Sequence, residues 1–221
     1  MQRVTVVGID QSARGTAAIA LDNGKFAGQV FFADTKTDAA TLKGAGAVES
    51  IAVKAGDDLG RVVRLDQILE VLSIFFSEFK PDFVAFEDYA LARQAFSHSL
   101  GEVGAVVRLA AYWAGIPFRV YDIQGIKIFA TGRGDAEKAD MIIACRSKWD
   151  QIDFMRFGKE TGAAGNLADA YVISQLLWTE IRLREGDLRL DELEDHEHRV
   201  FNRTTKQRPL SLLDMSFAVK G

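Results

Sequence analysis

The stretch at residues 82–88, DFVAFED, contains a short unbroken apolar run, residues 83–86, that ends in two carboxylates. An apolar run of this length without alternation predicts a strand buried on both faces, as in a sheet covered by helices on either side. The preceding segment, Asp58 to Phe79, carries apolar residues at helical spacing, and Pro81 ends that pattern. We therefore expect a long helix that leads directly into a central strand.

Elsewhere along the chain, the spacing of apolar residues likewise predicts helices and strands. It predicts a hairpin over residues 4–21, a strand over 24–33, a helix over about 94–113, a strand over 118–123, and two later helices capped by Asp135 and Asn166. This order predicts an α/β fold in which one mixed sheet is flanked by helices on both faces.

Length and composition limit the class of protein. A chain of 221 residues predicts one domain, which we place at residues 1–180, followed by a charged C-terminal extension at 181–221. Cys145 is the only cysteine, which excludes an internal disulfide and a zinc site built on several thiolates. Without a signal-peptide core or an apolar run of ~18–20 residues, we expect a cytoplasmic protein with no membrane partner.

Three acids fall at the ends of predicted elements. Asp10 follows the first strand, Glu87 ends the central strand, and Asp169 lies in the first turn of a late helix. Sites in open α/β sheets form at strand carboxyl ends, and acids gathered there repel one another unless a cation is present. Mg²⁺ or Mn²⁺ takes oxygen ligands, and a pair of such ions can hydrolyse a phosphodiester. The pattern therefore predicts nucleic-acid hydrolysis.

Each acid also has a simpler interpretation. Asp10 can initiate a turn, Glu87 can be an exposed strand end, and Asn166 with Asp169 can form a capping box. The net charge of −4 gives no support for a nucleic-acid partner by itself, so any such surface must be local.

Four segments resemble, in this order, the signature segments of RuvC-type Holliday junction resolvases: GIDQS, FVAFEDYA, GIKIFATGRGDAEKADM and GNLADAYVIS. The resemblance extends over roughly residues 4–177. It implies an RNase H-like fold, a homodimer, and paired symmetric nicking of a four-way DNA junction with Mg²⁺ or Mn²⁺, two ions per active site. The extended, divergent chain is more similar to a bacteriophage version than to a bacterial housekeeping one.

The resemblance also implies roles for single residues. By position, Asp10, Glu87 and Asp169 are implied to bind metal, while Lys127 and Lys138 are implied to contact phosphate near the site, with Lys138 offsetting charge at the scissile group. A local basic surface is expected from the surrounding residues, namely Arg119, Lys127, Arg133, Lys138, Arg146 and Lys148.

Two positions depart from the family pattern. Asn166 stands where the family usually has a further acid; its amide oxygen can still ligate a hard cation but brings no charge. The family commonly places a junction-wedging aromatic after the second acid, and here Tyr89 and Phe96 are near that place without matching it. The expected dimer contact is the helix over 94–113, where Gly101 and Gly104 allow close approach.

Three alternatives stay open at this point. The same fold could serve a nuclease for flaps, forks or structured RNA. An inactive nucleic-acid-binding scaffold is favoured by the missing acid at Asn166 and opposed by the three acids that are present. GIDQSARGT also resembles the opening of sugar kinases and actin-like ATPases, but the chain is too short for their two domains and has no P-loop.

Overall fold

The computed structural model describes residues 3–12, 15–33, 47–49, 58–88, 97–158, 162–204 and 209–220. Its strands form one mixed sheet in the order β4-β3-β2-β1-β5-β6. These strands are β1 (Thr5–Asp10), β2 (Gly15–Asp22), β3 (Lys25–Ala33), β4 (Ala47–Glu49), β5 (Phe83–Glu87) and β6 (Phe118–Tyr121). β1 to β3 are antiparallel neighbours, whereas β5 and β6 run parallel to β1.

Helices cover both faces of this sheet, which confirms the predicted α/β fold. They are α1 (Asp58–Phe79), α2 (Ser97–Trp113), α3 (Ile123–Thr131), α4 (Lys138–Lys148), α5 (Ala163–Glu185) and α6 (Asp195–Asn202). α1 and α2 pack on one face, and the other four helices pack on the opposite face. Among the described helices, none combines the length and hydrophobicity that a bilayer crossing requires.

Several helix limits differ from the sequence-based expectation. α3 was not predicted; the Asp122 side chain caps it by accepting a hydrogen bond of 2.8 Å from Gly125 N. α4 begins at Lys138 with a capping box between Glu137 and Asp140, so Asp135 is not its cap. Residues 94–96, predicted to open α2, lie outside the described residues.

Asn166 is likewise not a cap, because α5 begins at Ala163 after the N-cap Gly162. The capping-box interpretation of Asn166 with Asp169 is therefore wrong. Asn166 lies inside the first turn of the helix and is 9% exposed. Its side chain is left available for contacts with other elements.

The C-terminal residues that the structure describes, 181–204 and 209–220, contribute to the same core as the rest of the chain. Val200 and Phe201 of α6 are buried, and Ala218 exchanges backbone hydrogen bonds with Phe118 of β6. α5 itself continues past the predicted domain boundary to Glu185. The described part of the C-terminal segment thus covers the sheet on the side of β6.

Arg119 does not contribute to a basic surface, contrary to the prediction. It is 3% exposed, and its guanidinium donates to Glu180 at 2.6 and 3.2 Å and to the carbonyl oxygens of Met215 and Ser216. Because the partner Glu180 is fully buried, the pair is shielded from water, and Arg119 fastens the C-terminal segment to the core.

The contact of α5 with β1 is close enough to require glycine at position 8. Gly8 N donates to Ser174 Oγ at 2.9 Å, and a Cβ added at Gly8 would overlap backbone atoms of Ala170 and Ser174. Backbone atoms on both sides leave no side chain that could move aside. Gly8 therefore fixes how closely the helix can approach the strand.

Replacing Gly8 tests this packing. We expect Gly8→Ala to lower the free energy of unfolding by about 1–3 kcal/mol, the usual range for overpacking, because helix or strand must shift. Gly134→Ala is the matched control, since an added Cβ there makes only ordinary contacts of 3.7 Å. Urea unfolding of both variants measures the difference, and equal stabilities would contradict the proposed constraint.

Candidate active site

The parallel strands β1 and β5 end side by side, and each ends in an acid. Their register pairs Ile9 with Phe86, which makes Asp10 and Glu87 the next residues in step. Since side chains alternate along a strand, Asp10 lies on the same face as Gly8, the face that α5 covers. Glu87 lies on that face for the same reason, because Ala85 belongs to the core beneath α5.

Asp169, from the first turns of α5, completes a cluster of three carboxylates. Burial, followed by the charges of Asp169 and Glu87, raises the pKa of Asp10 well above its usual value. Burial and the charge of Asp169 raise the pKa of Glu87 to about 7, and burial raises the pKa of Asp169 to about 6. The cluster is thus too poorly hydrated and too crowded with negative charge to ionise readily.

Two lysines oppose these shifts. Lys127 on α3 and Lys138 at the start of α4 both lower the pKa values of Glu87 and Asp169. Lys138 Nζ lies 3.7 Å from Asp169 Oδ2 and also donates to Asn166 Oδ1. The structure therefore brings together the three predicted acids, both predicted lysines and Asn166.

Gln11 is a member of this site that sequence reasoning missed. Its Nε2 donates to the main-chain oxygen of Glu87 at 2.5 Å and so ties the ends of β1 and β5 together beyond their last paired residues. The side chain is 5% exposed, and its Oε1 is buried without a hydrogen-bond partner among the described residues. In the sequence, the one signal that could have predicted a role for Gln11 is its position next to Asp10.

The remaining predicted DNA-binding residues are not gathered here. Arg133 lies in the turn after α3, is exposed and pairs with Asp135 at 3.2 Å. Tyr89 and Phe96 lie outside the described residues. Lys148, expected on the basic surface, instead contacts Glu197 at 3.1 Å and the carbonyl oxygen of Phe129.

The donor set fits a hard divalent cation in its chemistry. Three buried or half-buried carboxylates supply oxygen ligands and negative charge that the two lysines offset only in part. In the described part of the chain, however, no three His, Cys, Asp or Glu side chains already stand close enough to share one ion.

Comparison with known proteins relates this chain to RuvC proteins in sequence. The sequence model of the family "Crossover junction endodeoxyribonuclease RuvC" matches residues 43–147. RuvC proteins of Citrifermentans bemidjiense and of a Geobacter species are each 35% identical over 79 residues, which is 35% of this chain and 48% of the relative. The chain thus spans about half the length of these curated relatives.

The fold is similar over a larger part of the chain. RuvC of Thermus thermophilus superimposes with a TM-score of 0.56 at 18% identity, covering 83% of this chain and 97% of that one. The same protein in complex with a Holliday junction substrate gives 0.54 at 17% identity, covering 78% and 91%. At these identities the likeness concerns the fold, and it confirms the RNase H-like architecture.

The raised pKa values make stability depend on pH. A carboxyl group whose pKa is higher in the folded state than in the unfolded state binds its proton more tightly in the folded state. Such groups therefore stabilise the fold at low pH. That contribution is lost as pH rises through the folded values of about 6 and 7. We expect the metal-free protein to lose on the order of 2 kcal/mol of unfolding free energy between pH 5 and pH 8.

Glu87→Gln should flatten this pH dependence and raise stability at pH 8, because the amide cannot ionise. Glu70→Gln, on the exposed side of α1, serves as the control and should leave the slope unchanged. Urea unfolding in EDTA at several pH values provides the measurement. An unaltered slope for Glu87→Gln would contradict the electrostatic account of the cluster.

Proposed function

From the relationship of this chain to RuvC proteins, we propose that it is a metal-dependent endonuclease that resolves four-way DNA junctions by paired nicks. The observation that carries the proposal is the meeting of Asp10 and Glu87, at the ends of adjacent strands, with Asp169 of α5. Burial raises the pKa of all three acids, and the charges of neighbouring acids add to this for Asp10 and Glu87. A scaffold that only bound nucleic acid would gain nothing from anionic groups facing phosphate.

Asp10, Glu87 and Asp169 would hold Mg²⁺ or Mn²⁺ ions, as a pair in our proposal. Such ions, when bound, lower the pKa of the attacking water and stabilise the leaving oxygen. Asp10 would be central to holding them, because it lies deepest and its pKa responds to both other acids. Through its hydrogen bond to Glu87, Gln11 would hold the ends of β1 and β5 together while the metal ions bind.

The lysines would act on the DNA. Lys138 is 40% exposed and lies next to Asp169, so its ammonium group can offset charge on the scissile phosphate while it still contacts the cluster. Lys127 is half-buried on the neighbouring helix and would hold the same strand through a further phosphate. Arg133, exposed at the turn between α3 and α4, would add a phosphate contact to those of the two lysines.

Paired nicking of a two-fold symmetric junction calls for two active sites, which we assign to a homodimer. The exposed side of α2 supports this assignment. Leu109 and Tyr112 are 41% and 44% exposed, and Gly101, two turns before Leu109, has open space where a Cβ would be. Gly104 is buried within the protein, so of the two predicted glycines only Gly101 is available to a second copy.

A cleavage assay tests the activity. Labelled immobile four-way junction, flap, fork and linear duplex are each incubated with the protein and Mg²⁺, Mn²⁺ or EDTA. Symmetric paired nicks confined to the junction would support the proposal. Cleavage of flaps or forks as well would indicate a broader structure-specific nuclease, and binding without cleavage in either metal would indicate a scaffold.

In this assay Asp10→Asn should lower the cleavage rate by about 10²–10³-fold or more, because a carboxylate that holds the metal ions is lost and their stabilisation of transition-state charge is lost with it. Binding to the junction in EDTA should be equal or tighter, because one negative charge near the phosphates is gone. Asp187→Asn, at an exposed position after α5, provides the control. Normal cleavage by Asp10→Asn would refute the site assignment.

The dimer is tested at Leu109. Placing a charge on this exposed apolar side chain with Leu109→Arg should convert the protein from dimer to monomer at micromolar concentration, as measured by sedimentation velocity. Ile143→Arg, on α4 and 65% exposed, is the matched control and should stay dimeric. A wild-type protein that sediments only as a monomer would argue against the assignment.

A further inference from the structure

We propose that Asn166 is a positioning residue for Lys138 and not a metal ligand. The inference rests on the proposed nuclease function and deepens it. It concerns the position at which the RuvC-like segment carries an amide instead of an acid. The contacts of both ends of that amide carry the inference.

Each polar atom of the Asn166 side chain already has a partner. Nδ2 donates to the main-chain oxygen of Gly15 at 2.8 Å, and Oδ1 accepts from Lys138 Nζ. A carbonyl oxygen can only accept, and an ammonium group can only donate, so the amide has a single orientation that satisfies both partners. The oxygen that would ligate a metal is therefore the atom that holds the lysine.

The contact with the carbonyl oxygen of Gly15 favours an amide over an acid at position 166. Asn166 is 9% exposed, and its Nδ2 faces the carbonyl oxygen of Gly15 at the start of β2. A carboxylate would direct an oxygen at that carbonyl, leaving two buried acceptors facing each other without a proton between them. The amide can join Gly15 to Lys138 with both hydrogen bonds satisfied.

The contact with Asn166 leaves the positive charge of Lys138 available to a phosphate. Lys138 Nζ lies between Asn166 Oδ1 and Asp169 Oδ2, the latter at 3.7 Å. A neutral oxygen on one side orients the ammonium group without neutralising it. An acid at position 166 would form a second ion pair with Lys138 and weaken the attraction of that lysine for a phosphate.

The first test measures metal binding without DNA. Mn²⁺ is titrated calorimetrically into wild-type protein, Asn166→Ala, Asn166→Asp and Glu87→Gln. We expect both Asn166 variants to bind Mn²⁺ within about twofold of wild type, and Glu87→Gln to bind at least tenfold more weakly. Tenfold weaker binding by Asn166→Ala, or tenfold tighter binding by Asn166→Asp, would overturn the proposal by identifying position 166 as a ligand.

The second test follows the lysine itself. Acylation by an amine-reactive reagent, read residue by residue by mass spectrometry, should become several-fold faster at Lys138 in Asn166→Ala and stay unchanged at Lys127. Asn202→Ala, at an exposed amide of α6, is the matched control. Unchanged reactivity of Lys138 would overturn the proposal. Thermal unfolding verifies that each variant is folded, and Asn166→Asp, equal in size to the native residue, serves if the alanine variant is not.

The third test is a double-mutant cycle on junction cleavage. Asn166→Ala should slow cleavage by about 10–100-fold, as is typical for residues that orient a functional group. Lys138→Met combined with Asn166→Ala should be no slower than Lys138→Met alone, since both changes disable the same group. Fully additive losses would refute the coupling. A wild-type protein that does not cleave would refute the nuclease proposal alone, because the titration and the acylation still test Asn166.

Discussion

The contact of Ser174 with Gly8 sets the geometry on which the site depends. From Ser174 back to Asp169, five helical residues span about 7.5 Å, and from Gly8 forward to Asp10, two strand residues span about 6.7 Å. Asp169 on α5 and Asp10 on β1 therefore lie at nearly equal distances beyond the contact of Ser174 with Gly8. β5 adds Glu87 because it runs parallel to β1 and ends in step with it. A glycine two residues before the acid thus decides whether the carboxylates meet.

This geometry has an energetic consequence that links fold and chemistry. Bringing carboxylates together out of water opposes folding at neutral pH, and the two lysines offset the repulsion only in part, since Glu87 still has a pKa near 7. A divalent cation would supply the missing positive charge. The cluster therefore combines weak intrinsic stability with strong demand for a cation, a combination expected where binding sites are organised ahead of their ligand.

Particular residues show how far the sequence could be interpreted. Apolar runs placed Asp10 and Glu87 at strand ends, because alternation and buried runs are local properties that the sequence displays directly. The contacts of Asn166 and Arg119 were not accessible in that way: their partners Gly15 and Glu180 are distant in the sequence, and no periodicity encodes such a pair. α3 was missed because its residues were interpreted only as part of a family segment, whereas the Asp122 cap marks a helix.

The C-terminal segment has a consequence for how copies of the chain can meet. Among the described strands, β6 is the outermost on its side of the sheet, and such a strand ordinarily offers free backbone groups to any other strand. Here Ala218 occupies part of that edge through two hydrogen bonds with Phe118, and the buried pair of Arg119 with Glu180 holds the segment in place. The chain thereby covers the start of its own sheet margin, so a strand of a neighbouring molecule cannot pair with β6 at Phe118.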